Sequence, residues 1–150
     1  MRILKLLTLL TFICACGPAG PLSPADSFFE MREAVKKPDP GKALSLLSYQ
    51  SRRSIEIICS EIRQMDENTQ KAIAAKQGID EIHIKKITPE LYVLFFFIKD
   101  PAENSSAGLF AEDISGVERE GDRAEIILQK GIRLPFVKEG PYWRFDLYAL

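Results

Sequence analysis

Residues 123–150 read RAEIILQKGIRLPFVKEGPYWRFDLYAL, and this stretch decides the fold. Ala124, Ile126 and Leu128 fall on one side of an extended chain, with Glu125, Ile127 and Gln129 on the other. Ile132, Leu134 and Phe136 share a face in the second run, and Trp143, Phe145 and Leu147 in the third. Alternation with a period of two marks strands with one dry face and one wet face. Lys130-Gly131 and Glu139-Gly140 separate the runs, since glycine tolerates the positive φ of a tight turn. The three runs therefore form an antiparallel meander. A slip of one residue would put Trp143 and Phe145 in water, so the register is firmly specified. Pro135 interrupts the pattern. It has no N–H to give a ladder, which implies an edge position or a bulge for its strand.

Ile114 to Glu120 adds a first strand, closed by a turn at Gly121-Asp122. Upstream the period changes to that of helices. Ser23-Pro24-Ala25-Asp26 is a helix start: serine caps, proline suits the first turn, and the aspartate faces the positive helix end. Phe28, Met31 and Val35 follow at helical spacing, and Pro38 ends the run. Asp39-Pro40 opens a second, short helix carrying Leu44 and Leu47. A third begins near Ser51, with Ile55, Ile58, Ile62 and Met65 as its apolar stripe and Cys59 beside them. Arg52, Arg53, Glu56, Glu61 and Arg63 lie off that stripe and read as a solvated face. Asn68 is a candidate cap for a weaker helix ending at Gly78.

Residues 79–100 carry two competing signals. Ile82 and Ile84 alternate with Glu81, His83 and Lys85, the pattern of a short strand. Tyr92 to Ile98 is an unbroken apolar run that fits a buried strand or a buried helix. The start signal Thr88-Pro89-Glu90 favours helix there. Glu103 to Gly108 reads as a loop. The class expected is α+β, with N-terminal helices packed on a twisted antiparallel sheet of about four strands.

At 150 residues one domain is expected, over residues 24–150. Nearly half the residues are apolar, which places the chain among globular proteins. Without residues 1–15 it has 18 basic and 21 acidic side chains, a net charge of −3. That is neither the basic footprint of a nucleic-acid binder nor a polybasic membrane surface.

Arg2 and Lys5 precede the apolar run Leu6 to Ile13, too short to span a bilayer and suited to a signal peptide. The run ends Ile13-Cys14-Ala15-Cys16-Gly17. This resembles the bacterial lipobox, with a branched apolar residue three before the cysteine and a small residue just before it. The resemblance implies a signal peptide over 1–15, cleavage before Cys16, and lipidation of its thiol and new amine. Cys14 is a departure from the pattern at its position. Gly17 is not the aspartate that resembles an inner-membrane retention signal, so the outer membrane is favoured where one exists. The implied location is the cell envelope, with a membrane bound through Cys16. Residues 16–23 would be the lipidated cysteine and a Gly/Pro tether. Only Cys59 then remains, so no intramolecular disulfide is available, and its apolar setting reads as packing rather than reactivity.

The order of helices followed by a twisted antiparallel sheet resembles the nuclear-transport-factor-two-like cone, also called ketosteroid-isomerase-like or cystatin-like. The residues that carry the resemblance are Ser27 to Lys36 with the Pro-Asp break and Ala43 to Leu47, then Ser51-Arg52-Arg53, then the ending Leu134 to Leu147 with its acidic-Gly turn and Trp-bearing strand. The family's early hairpin is only hinted at by residues 79–87. The resemblance implies an interior in which Phe28, Tyr92, Trp143 and Phe145 line either a core or a pocket.

Ketosteroid-isomerase-like enzymes use an acidic base and a hydrogen-bond donor inside the cone. No acid and donor here match those family positions. Asp113, Asp146 and Tyr92 are the candidate interior groups, and each reads better as a surface or rim residue. His83 is the single histidine and has no carboxylate partners that would complete a metal site. GxSxG, HExxH, P-loop and CxxC patterns are absent from residues 16–150, and nothing calls for a cofactor. Two function classes fit: a non-enzymatic envelope lipoprotein binding a small apolar ligand or an envelope protein, and a small isomerase or dehydratase using an acid in the cone. Convergent ionisable groups in a deep pocket would mark the second.

Overall fold

In the computed structural model, residues 20–99 and 106–149 are described. The signal segment, Cys16 and the first part of the expected 103–108 loop lie outside them.

Capping side chains set the helix boundaries. Helix α1 (Pro24–Lys36) starts at Ser23, whose Oγ accepts the Asp26 N–H at 3.0 Å. Helix α2 (Pro40–Leu46) starts at Asp39, which accepts the Lys42 N–H at 2.9 Å. Helix α3 (Tyr49–Gln64) begins slightly earlier than its stripe suggests, because Ser48 is its cap. Helix α4 (Glu67–Gln77) is capped by Asp66, not Asn68: the carboxylate reaches the Thr69 N–H at 3.0 Å. It ends as expected at Gly78, which takes the left-handed φ of 63°.

The next segment corrects the strand reading. Glu81–Lys85 forms helix α5, capped by Asp80, and its Ile82 N–H is held by that carboxylate at 3.0 Å. Ile84 is buried while Ile82 is half exposed, so the alternation came from one inward residue on a single helical turn rather than from a pleat. Helix α6 (Pro89–Val93) starts at Thr88 and runs on as a π-helical turn, Leu94–Ile98, in which the Lys99 N–H reaches back to the Leu94 carbonyl at 2.9 Å. The cap thus signals helix correctly. Helix α7 (Ser106–Ala111) occupies part of the expected 103–108 loop.

Strands β1 (Ile114–Glu120), β2 (Arg123–Leu128), β3 (Arg133–Glu139) and β4 (Tyr142–Phe145) form one antiparallel sheet in the order β1-β2-β3-β4. The glycines of all three turns have positive φ. The buried set Ala124, Ile126, Leu128, Leu134, Phe136, Trp143 and Phe145 is the dry face expected. Leu147 has left the strand for a 3-10 turn. Pro135 is neither at an edge nor in a bulge: β3 is an inner strand, and its register with β2 is unbroken across Glu125↔Pro135. It is tolerated because residues 132 and 138 are the ones bonded towards β2, so Pro135 faces β4 where β4 ends. Its carbonyl accepts the Asp146 N–H at 2.9 Å, and its missing N–H costs no bond within the ladder.

Helix α1 lies across β2 and β4, with α2 and α7 beside it. On α2 the buried residues are Ala43 and Leu46, with Leu44 only partly covered. Leu47, beyond its end, is also buried. On α3 the buried line is Ser51, Ile55, Cys59 and Ile62, and Met65 is exposed. The outer edge of β4 is covered too. Its Trp143 N–H donates to the Pro21 carbonyl at 2.9 Å, and its Phe145 carbonyl accepts the Ser48 N–H at 2.8 Å. Residues 20–23, expected to be tether, therefore lie against the domain, with Pro21 buried.

Candidate functional site

The space between helices and sheet, where the resemblance would put a pocket, is filled by rings. Phe110 packs on Phe28 and on Phe145, each at 5.2 Å between centroids. Phe145 also meets Phe136 at 5.5 Å, and Phe97 joins both Phe110 and Phe145 at slightly over 6 Å. These are the offset and edge-on distances of well-packed aromatics. Trp143 is 1% exposed, and the Arg119 guanidinium lies 4.9 Å from its ring. Phe28, Trp143 and Phe145 are thus brought into one buried cluster and are core. Tyr92 is not in that set of rings. It is half-buried, stacked on Phe96 at 4.8 Å. Burial pushes its phenol above the usual range, and the neighbouring Tyr148 adds to the rise.

The acids suggested by sequence are separated. Asp113 is exposed and 3.5 Å from Arg32 at the start of the sheet. Asp146 sits at the other end of the chain's last strand, and there the structure shows a joint that sequence reasoning missed. Its Oδ1 is 3.1 Å from the Ser48 hydroxyl and 3.0 Å from the Ser51 hydroxyl. Both serines are buried. The two hydroxyls lie 2.9 Å apart, so the single Ser48 hydrogen has both the Ser51 oxygen and the carboxylate within reach. Ser48 Oγ accepts the Ser51 N–H at 3.0 Å. Ser51 Oγ accepts the Leu147 N–H at 2.9 Å and donates to the Asp146 carboxylate. One carboxylate, two hydroxyls and two backbone N–H groups are satisfied together at the positive end of α3. Glu139 adds a second carboxylate to that helix end, accepting the Tyr49 N–H at 2.5 Å. His83, on α5, lies against the Phe95 ring at 5.6 Å. The joint fastens α3 to the sheet.

Arg32 is a second fastening. Its Nε donates to the Phe110 carbonyl at 2.7 Å and an Nη to the Glu112 carbonyl, tying α1 to α7 and the approach to β1. Cys59, the single described cysteine, is buried, and desolvation pushes its thiol up to about 11 despite the opposing charge of Arg63. On the outer face of the sheet, Arg133 of β3 bridges Glu118 of β1 and Glu125 of β2, both at 2.6 Å. That exposed triad offsets the like charges that β1 and β2 place opposite each other at Glu118↔Glu125.

Among the described residues no group of His, Cys, Asp and Glu could hold a metal ion, and no helix is long and apolar enough to cross a membrane. No family model matches the chain, and no curated protein or solved structure is significantly similar to it.

Proposed function

We propose that this chain is a bacterial envelope lipoprotein, held to the membrane through Cys16, whose domain is a non-enzymatic binding module. The observation that carries the binding reading is the filled interior. Phe28, Phe97, Phe110, Phe136 and Phe145 occupy the space an isomerase would use, and the ionisable side chains nearest to them serve as fastenings. A module of this kind works by its surface, so an envelope protein is a better fit than a small apolar ligand taken into the cone. The order of helices and then a meander supports the likeness to the nuclear-transport-factor-two-like cone. Helix α5, standing where that likeness implies a hairpin, is its main departure.

Support for the anchor comes from Ile13-Cys14-Ala15-Cys16 behind a short apolar run. Feeding cells an alkyne fatty acid and comparing wild type with Cys16→Ser tests it. Label on the wild type and none on the variant is expected. Equal label on both would remove the lipoprotein reading.

A further inference from the structure

We infer that the face formed by Leu22 and Phe29, beside the outer edge of β4, rests on the lipid surface, and that the domain is held in one orientation rather than swinging on a tether. The inference rests on the lipidation of Cys16 proposed above.

The first observation is how little of the expected tether is free. Pro21 is buried and bonded to Trp143 of β4 at 2.9 Å. Gly20 lies so close to the sheet that a Cβ there would come within 2.9 Å of the Tyr142 ring and 3.3 Å of Arg144. Only a glycine fits that approach. Cys16 is four residues before Gly20, so covalent geometry alone limits their separation to about 14 Å. An acylated Cys16 sits at the headgroup level, and Gly20 must then lie within that distance of it.

The second observation is what surrounds Gly20. Gly20, Pro21, Leu22, Asp26, Phe29 and Glu30 line one shallow concavity. Leu22 is 68% exposed and Phe29, which packs edge-on against Phe28, is 48% exposed, two large apolar side chains open to solvent next to the anchor. A short anchor and an exposed apolar pair on the same face give the interface its occupant. The charged neighbours are of both signs and form no basic patch: Arg32 lies 5.5 Å from the Phe29 ring and Arg144 beside Gly20, among acids. Glu30 is paired with Lys42 at 2.5 Å and Glu33 with Lys37 at 3.5 Å, and Asp26 adds a negative charge. Contact is therefore expected on zwitterionic lipid and does not require anionic headgroups. The opposite edge of the sheet is β1, three strands from β4 in the order, and its Val117 is 46% exposed.

The test uses the full-length acylated protein in phosphatidylcholine vesicles carrying a nitroxide lipid. A fluorophore is placed by Leu22→Cys, Phe29→Cys or, as reference, Val117→Cys on exposed β1; buried Cys59 stays unlabelled in the folded domain. All three sites are exposed, so folding is preserved. Flotation with the vesicles is read first. Protein that floats, with fluorescence lost at positions 22 and 29 and retained at 117, is the expected result. Protein that floats with all three labels equally bright or equally quenched overturns the orientation while leaving the anchor intact. Protein that does not float overturns the anchor and the orientation with it.

Discussion

The backbone N–H of Trp143 holds the carbonyl of Pro21 at 2.9 Å, so a residue just ahead of the first helix completes the edge of the last strand. The same residue's indole is buried beneath Arg119. One side chain thus closes the core while its backbone fixes where the N-terminal segment leaves the domain.

Trp143→Ala should therefore be severe. Truncating a buried aromatic of this size costs about 3–5 kcal/mol, against roughly 5–15 kcal/mol for a whole domain. Loss of folding or a much lower thermal midpoint is expected by circular dichroism. A midpoint within a few degrees of wild type would mean that Trp143 does not pack as described.

Asp146→Ala strips the acceptor from two buried hydroxyls, Ser48 and Ser51. Leaving buried donors unmade costs about 1–3 kcal/mol. Adding Ser48→Ala and Ser51→Ala to Asp146→Ala should cost less than the separate losses combined, because the three act as one network. Urea denaturation of the three single variants and the triple mutant reads this directly. Strict additivity would show that the groups are independent.

Arg32→Lys should not be conservative. The guanidinium reaches the carbonyls of Phe110 and Glu112 from two nitrogens, a fork that one ammonium does not reproduce. A loss of about 1.5–3 kcal/mol is expected. The same stability in lysine and arginine proteins would contradict the role given to the fork.

Cys59 makes stability depend on alkaline pH. Its folded thiol is raised from 9.0 to about 11 by burial. Below pH 9 the thiol is neutral in both states and its favourable burial is intact. Between 9 and 11 the unfolded chain ionises and the folded chain does not, so unfolding gains with rising pH. The gap in thermal midpoint between wild type and Cys59→Ala should narrow across that window. A gap that stays constant would mean that the thiol titrates alike in both states.

Much of the fold was legible because its signals are local. The β2–β4 alternation, the turn glycines, and the caps at Ser23, Asp39 and Thr88 each act within a few residues. What escaped depended on partners far along the chain or on geometry that sequence does not carry. Ile82 and Ile84 have strand spacing, yet Asp80 wins that segment by capping a helix. Pro135 reads as an edge residue until β4 is seen to end beside it. Ser48 and Ser51 look like ordinary helix-start residues, and nothing near them announces Asp146, more than ninety positions away. Residues 20–23 have a tether's composition, and only the bare N–H of Trp143 explains why they are fixed. The aromatic candidates were visible as apolar residues, but whether they lined a pocket or closed a core was a question of packing.

The most direct test of the account is the mass of the N-terminal peptide of the mature protein, purified from membranes. The account predicts a peptide that begins at Cys16 and carries acyl groups on that residue. A mature chain that begins elsewhere, or that carries an unmodified Cys16, would contradict it.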